Sequence, residues 1–177
     1  MSSELPSPLP AGFQLRDALA ADLPAIVAIY NATIASRQVT ADLVPVTVEQ
    51  RQPWFEAHRN PTRPLWVLTD AEGGVAAWLS FDTFYPRAAY DGTAMLAIYV
   101  AEGQRGRGLG RTLLRTAIAR APGMQLHTLL GYIFAHNEPS LRLFAVHGFV
   151  RWAHLPRVCV LDGVERDVII MGRRVAP

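Results

Sequence analysis

The chain has no lysine: all 17 of its basic residues are arginine, and against 15 acidic residues they leave a formal net charge of +2. A Walker-type phosphate loop, which needs a lysine before Ser or Thr, is therefore excluded. The arginines are scattered apart from one cluster and form no basic stripe interleaved with aromatics, so nucleic-acid binding finds little support. Cys159 is the single cysteine. It rules out an internal disulfide framework and fits a reducing compartment, hence a cytoplasmic location. Half the residues are hydrophobic. Even so, no stretch reaches the roughly 18 uninterrupted apolar residues of a membrane span. The histidines lack metal-ligand spacing with any partner, and no metal is expected. Residues 1–10 are uncharged apart from Glu4 and lack both regions of a signal peptide. Segment 1–12 reads as a flexible tail ahead of a single domain over 13–174.

What is present is concentrated in Gln104-Arg105-Gly106-Arg107-Gly108-Leu109-Gly110. The run follows an apolar strand pattern at 95–100 and opens a helical pattern at 109–121. Glycines at alternate positions let the backbone turn tightly and approach a ligand. The N–H groups at the helix start point at one spot, and the helix dipole makes that spot favour anions. Arg105, Arg107 and Arg111 add positive charge with fork geometry suited to phosphate. The chemistry is that of a pyrophosphate cradle. The dinucleotide pattern G-x-G-x-x-G fails, because Arg111 stands in place of the third glycine.

The remaining pattern is a mixed α/β domain. A short strand is expected at 13–17. Asp22 reads as the N-cap of a helix with Pro24 just inside it. Thr47 and Gln50 make a capping box for a second helix, in which Pro53 predicts a kink or a late start. Strands follow at 65–69 and 75–81, with 95–100 apolar on both faces as at a sheet centre. Another strand reads over 126–134, then a helix capped by Asn137 and ended by Gly148. A closing hairpin turns at Asp162-Gly163. The order is β-α-α-β-β-β-α-β-α-β-β.

Arg105-x-x-Gly108-x-Gly110 between a strand and a helix resembles the acyl-CoA loop of the GNAT N-acetyltransferase superfamily. The likeness extends from about residue 13 to 173. Within the superfamily the chain is most similar to the phosphinothricin and methionine-sulfoximine acetyltransferases. Ile29-Tyr30-Asn31, Trp54-Phe55, 86–90, Tyr99-Val100, Gly131, Asn137, Ser140, Leu143, Gly148-Phe149 and 163–171 carry that likeness. The resemblance implies a mostly antiparallel central sheet with splayed central strands, flanked by helices. It also implies direct acetyl transfer from acetyl-CoA to a small-molecule amine in a ternary complex, and a homodimer. Backbone groups of Ile98 and Val100 would hold the pantetheine arm, and Tyr99 between them belongs to the same cofactor-binding stretch. Residues Arg105, Gly106, Arg107, Gly108, Leu109, Gly110 and Arg111 would hold the pyrophosphate, with Asn137, Ser140 and Phe144 along the far side.

The chain departs from the family's pattern at the acceptor. Met95 stands where the group carries a glutamate base. Phe144 stands where a histidine or tyrosine could protonate the leaving thiolate. Tyr85 replaces an arginine that meets the substrate carboxylate, although Arg87 lies two residues on. Tyr85, Arg87 and Met95 are thus the candidate substrate-binding residues, and a drier pocket for a less charged amine is expected. Tyr99, on the strand face of Met95, and His136, at the mouth of the splayed strands, are the candidate catalytic residues. Asp167 is expected to pair with an arginine. The alternative function is an acyl-CoA-binding sensor or scaffold with weak or lost catalysis.

Overall fold

The computed structural model describes residues 9–175, so residues 1–8 of the expected tail lie outside the described residues. Within the rest of that segment, Leu9 packs against the core. The chain runs β1 (Gln14–Asp17), α1 (Leu23–Ile34), α2 (Val48–Ala57), β2 (Leu65–Thr69), β3 (Val75–Thr83) and β4 (Thr93–Val100). It continues with α3 (Leu109–Arg120), β5 (Thr128–Phe134), α4 (Glu138–Ala145), β6 (Val150–Leu161) and β7 (Val164–Arg174). The strands form one sheet in the order β1-β2-β3-β4-β5-β7-β6. Every neighbouring pair is antiparallel except β4 and β5. The parallel pair is the one whose connection carries a crossover helix, α3.

Strand alternation sends successive side chains to opposite faces, and each face has its own helices. Leu96, Leu129, Ile133 and Ile169 pack under Leu109, Leu113, Leu114 and Ala117 of α3 and Phe144 of α4. Val67, Trp78 and Tyr99 pack on the other face beneath Leu23, Ile26 and Ile29 of α1 and Phe55 of α2. Burying each of these large side chains contributes about 1.5–3 kcal/mol. β4 and β5 lie at the centre of the sheet, and β4 is covered on both faces, by Leu96 on one side and Tyr99 on the other, as its apolar run requires.

Several local expectations need correction. Asp22 is the N-cap residue of α1, with Pro24 in the first turn as expected, but its side chain makes no cap to the helix. Its carboxylate instead takes two bonds from Arg16 of β1, at 2.6 and 2.9 Å, and one from the Leu19 N–H at 2.7 Å. A bidentate guanidinium outcompetes the cap because it satisfies both oxygens. Helix α2 does not start late: Thr47 and Gln50 close its capping box, and Pro53 lies inside it. The closed N-terminus and the buried Phe55 hold the helix through the missing N–H. Asp167 pairs not with an arginine side chain but with His154 Nε2 at 2.6 Å and the Arg157 backbone N–H at 2.8 Å. The hairpin turn does use Asp162 and Gly163, with φ of 50° and 81°.

Candidate active site

The parallel pairing of β4 with β5 lasts for three residue pairs, Thr93 with Thr128, Ala94 with Leu129 and Met95 with Leu130. Beyond Met95 the two strands part, and a cleft of about 810 Å³ opens between them. Residues 96–100 of β4 form one wall, and Tyr132, Ile133, Asn137, Ser140 and Phe144 form the other. The open edge of β4 is specific about which groups it offers. The Ala101 N–H bonds the Ala76 carbonyl at 2.9 Å, on the β3 side. Backbone groups alternate along an antiparallel strand, so those of Ile98 and Val100 turn the other way, to the cleft.

One end of the cleft is the glycine loop. Gly106 and Gly108 have φ of 76° and 79°, the left-handed region that only glycine enters cheaply. Gly108 is the residue on which α3 starts. The first-turn N–H groups of α3 have no acceptor within the helix. Next to a left-handed residue they make the concave array of donors that suits an anion. Arg105 and Arg111 line this end together with Gly106, Gly108, Leu109 and Gly110. Arg107 stands elsewhere: its guanidinium lies over the Phe13 ring at 4.7 Å and bonds Gln104. On the far wall, the buried Asn137 accepts from the Ser140 N–H at 3.2 Å, fixing the start of α4. Gly131 is necessary here because a Cβ at that position would come within 2.5 Å of the Phe144 ring.

The opposite end is built from side chains. Tyr99 lines the cleft, stacked on Trp78 with ring centroids 4.4 Å apart and 5.2 Å from the Tyr30 ring. Burial raises the Tyr99 phenol above its ordinary range, and the neighbouring Tyr30 adds to the rise. Tyr30 donates to Asp42 Oδ2 at 2.5 Å and meets Thr40 Oγ1 at 2.5 Å. Arg51 lies over the Tyr30 ring at 4.5 Å and over the Trp54 ring at 5.6 Å, and pairs with Asp42 at 3.3 Å. Behind this group sits Asp82, which accepts from Trp54 Nε1 at 3.0 Å and Ser80 Oγ at 2.6 Å. His58 Nε2 stands 3.3 Å from the same carboxylate. Burial works to raise the Asp82 carboxyl, but His58, Ser80 and Trp54 together hold it below the usual range.

The cleft therefore brings together Ile98, Tyr99, Val100, Arg105, Gly106, Gly108, Leu109, Gly110, Arg111, Asn137, Ser140 and Phe144, but not Arg107. His136 does not line it; Nε2 donates to the Arg37 carbonyl at 2.8 Å, and the ring stacks on Phe134. Tyr85 is exposed and packs edge-on against Tyr90, and Arg87 is exposed beside it. Met95 is half-buried and also stands outside the cleft lining. Tyr30, Thr40, Asp42 and Arg51 were not singled out from sequence, where nothing but the Tyr30-Asn31 pair marks them. No group of three or more His, Cys, Asp or Glu that could hold a metal occurs among the described residues, and none of their helices is long and apolar enough to cross a membrane.

Residues 26–149 match the acetyltransferase (GNAT) family. The chain is 50% identical over 155 residues to "Putative phosphinothricin acetyltransferase YwnH" of Bacillus subtilis (strain 168), spanning 88% of this chain and 94% of that one. It is 34% identical over 163 residues to the L-methionine sulfoximine/L-methionine sulfone acetyltransferase of Pseudomonas paraeruginosa (strain DSM 24068 / PA7), spanning 92% and 95%. The solved structure of yncA from Salmonella typhimurium with its cofactor acetyl-CoA superposes with a TM-score of 0.86 at 28% identity, covering 93% of this chain and 95% of that one.

Proposed function

Since the chain belongs to the GNAT acetyltransferase family, we propose that it transfers an acetyl group from acetyl-CoA directly to the amine of a small molecule. One observation carries this reading. The cleft joins a glycine-lined, doubly arginine-flanked helix start to an open strand edge, which suits a pyrophosphate at one end and an amide-bearing arm along its length. The residues fit such a group: nothing lies within 4 Å of a Cβ placed on Gly106 or Gly108, so the loop has open space in front of it. Acetyl-CoA, when bound, supplies an activated thioester acetyl group.

The protein's part is to bind, orient and exclude water. Arg105, Arg111 and the first-turn N–H groups of α3 hold the phosphates. Ile98 and Val100 offer strand-like hydrogen bonds to the arm, and a β4 N–H facing the cleft polarises the reacting carbonyl. Asn137, Ser140 and Phe144 close the far wall. The acceptor approaches from the Tyr99 side, where Thr33, Ser36 and Val39 complete the lining. The names of two relatives point to amino-acid amines, whereas the aromatic surroundings of Tyr99 favour a less charged amine. We further read the enzyme as cytoplasmic and homodimeric, with the exposed Val150, Trp152, Val158 and Val160 of edge strand β6 as the surface available for pairing.

The test is thiol release from acetyl-CoA across a panel containing phosphinothricin, methionine sulfoximine, aromatic amines and polyamines. Turnover with one class is expected and names the acceptor chemistry. Silence across the panel, with acetyl-CoA bound tightly in the same preparation, would replace the enzyme by an acyl-CoA-binding module.

A further inference from the structure

Phe144 has no proton to give, yet it holds the innermost position in the cleft. The β4–β5 ladder ends at Met95 with Leu130, so Leu96 and Gly131 flank the point where the strands part. Phe144 reaches this point from α4: a Cβ on Gly131 would come within 2.5 Å of its ring. Leu96 also lines the cleft, and both side chains are buried in the core on the α3 and α4 face of the sheet. The glycine loop lies at the other end of the cleft, after Val100. Leu96 and Val100 are four residues apart on β4, about 13 Å at the usual rise of a strand.

The ring cannot recede from the cleft. Phe149, which does not line the cleft and is 2% exposed, meets it edge-on with ring centroids 4.8 Å apart. The Phe149 N–H donates to the Phe144 carbonyl at 3.2 Å, which ties the two residues together through the turn that ends α4. The main chain of Gly131 lies against another side of the ring. A close-packed interior yields little to one added methylene, and forcing it in strains the side chains around it. The closed end of the cleft is therefore a wall of fixed position.

Acetyl-CoA with its phosphates on the glycine loop carries its thioester at the far end of its arm, toward that wall. A thioester carbonyl is trigonal. With its sulfur on the arm and its oxygen on a β4 N–H, its third substituent, the acyl chain, would point on to the closed end. The Tyr99 side is left for the amine, so a longer chain cannot turn there without blocking the acceptor. We propose that Phe144, seated on Gly131 and backed by Phe149, is an acyl-chain stop that admits the methyl of an acetyl group and excludes propionyl and longer chains. Phe144 thereby sets the specificity for the acyl donor. A ring without a hydroxyl suits this role, because a methyl group pressed against a hydroxyl would leave that polar group without a partner.

The proposal rests on the acetyl-CoA reading, and the two can fail separately. Calorimetry measures the affinity of wild type, Phe144→Leu and Phe144→Ala for CoA, acetyl-CoA, propionyl-CoA and butyryl-CoA, each ester being taken relative to CoA in the same protein. Thiol release with the best amine of the panel gives kcat/KM for the same esters. One methylene that a pocket does not accommodate costs about 10–200-fold. In wild type, affinity and kcat/KM should therefore fall by about tenfold or more from acetyl to propionyl, and again from propionyl to butyryl. Phe144→Ala should bring the three esters within about threefold of one another, with Phe144→Leu in between. Phe144→Leu stays apolar, so it decides the question if Phe144→Ala does not fold. A wild type that binds butyryl-CoA as tightly as acetyl-CoA overturns the stop without any substitution. Variants that keep the wild-type order overturn it too, because a merely structural role weakens CoA and every ester alike. A wild type that binds neither CoA nor any of its esters overturns the acetyl-CoA reading, and the stop falls with it.

Discussion

On the α3 and α4 side of the sheet the cleft is walled by the glycine loop, Gly106, Gly108 and Gly110, whereas on the α1 and α2 side it is walled by Tyr99, with Trp78, Tyr30 and Trp54 packed behind it and holding one another. The first wall takes its shape from φ angles and a helix start, features set within a few consecutive residues. The second takes its shape from contacts between segments tens of residues apart, such as Trp54 with Asp82 and Tyr30 with Asp42. On the proposed function, the wall made of main chain would meet acetyl-CoA, and the wall made of side chains would meet the amine, where single substitutions change shape and charge without disturbing the sheet.

The largest effect expected from this contrast is on the backbone wall. Gly108→Val forces a β-branched residue into φ of 79° at the helix start. Left-handed backbone costs a non-glycine residue about 1–2 kcal/mol. A displaced N–H loses a hydrogen bond to a charged group worth about 1.5–3 kcal/mol. Together these should weaken acetyl-CoA binding by about 100-fold or more in calorimetry. Trp54→Ala, on the other wall, should leave that affinity within about twofold and raise the KM of the amine. Equal effects of the two substitutions on acetyl-CoA would break the division of labour.

The next effect is on the side-chain wall and reads out as stability. Asp82→Asn keeps the shape but weakens the bonds to Trp54 and Ser80 and removes the charge contact with His58, for an expected loss of about 1–3 kcal/mol at pH 7. The Asp82 carboxyl is held below its ordinary range in the folded protein. Its contribution is therefore present above the unfolded carboxylate value near pH 4 and is lost as pH falls through the lower folded value. Thermal melts should separate wild type and Asp82→Asn at neutral pH and draw them together in acid. A gap that widens as pH falls would mean that burial, not the three partners, dominates this carboxylate.

The same contrast explains what could be read from the sequence. All seven strands and four helices were legible in order, because period, caps and turn residues are local signals: Thr47 with Gln50, Asn137, Gly148, Asp162-Gly163. The glycine loop was legible for the same reason. Asp22 was not, because its choice between capping α1 and binding Arg16 is settled by a strand six residues earlier. His136 looked available at the mouth of the strands, yet its Nε2 is committed to the carbonyl of Arg37, 99 positions away. Tyr30, Thr40 and Asp42 carry no recognisable spacing. They become neighbours where the loop after α1 folds back, held by Asn31 to both backbone groups of Val46, and no periodicity encodes that.

The smallest predicted effect concerns three arginines that look equivalent along the chain. Arg105 and Arg111 line the cleft, while Arg107 lies over Phe13. Arg105→Ala removes one guanidinium from the phosphate end, at about 1.5 kcal/mol for a charged hydrogen bond. Acetyl-CoA affinity should fall by about tenfold, and the loss should shrink as salt screens the pair. Arg107→Ala removes a cation from an aromatic face, worth about 0.5–1 kcal/mol, which belongs to folding and not to ligand binding. Its acetyl-CoA affinity should stay within about threefold of wild type while its melting temperature drops slightly. A tenfold loss of affinity in Arg107→Ala would mean that this side chain leaves Phe13 when ligand arrives, and that the backbone wall completes itself around the phosphates instead of standing preformed.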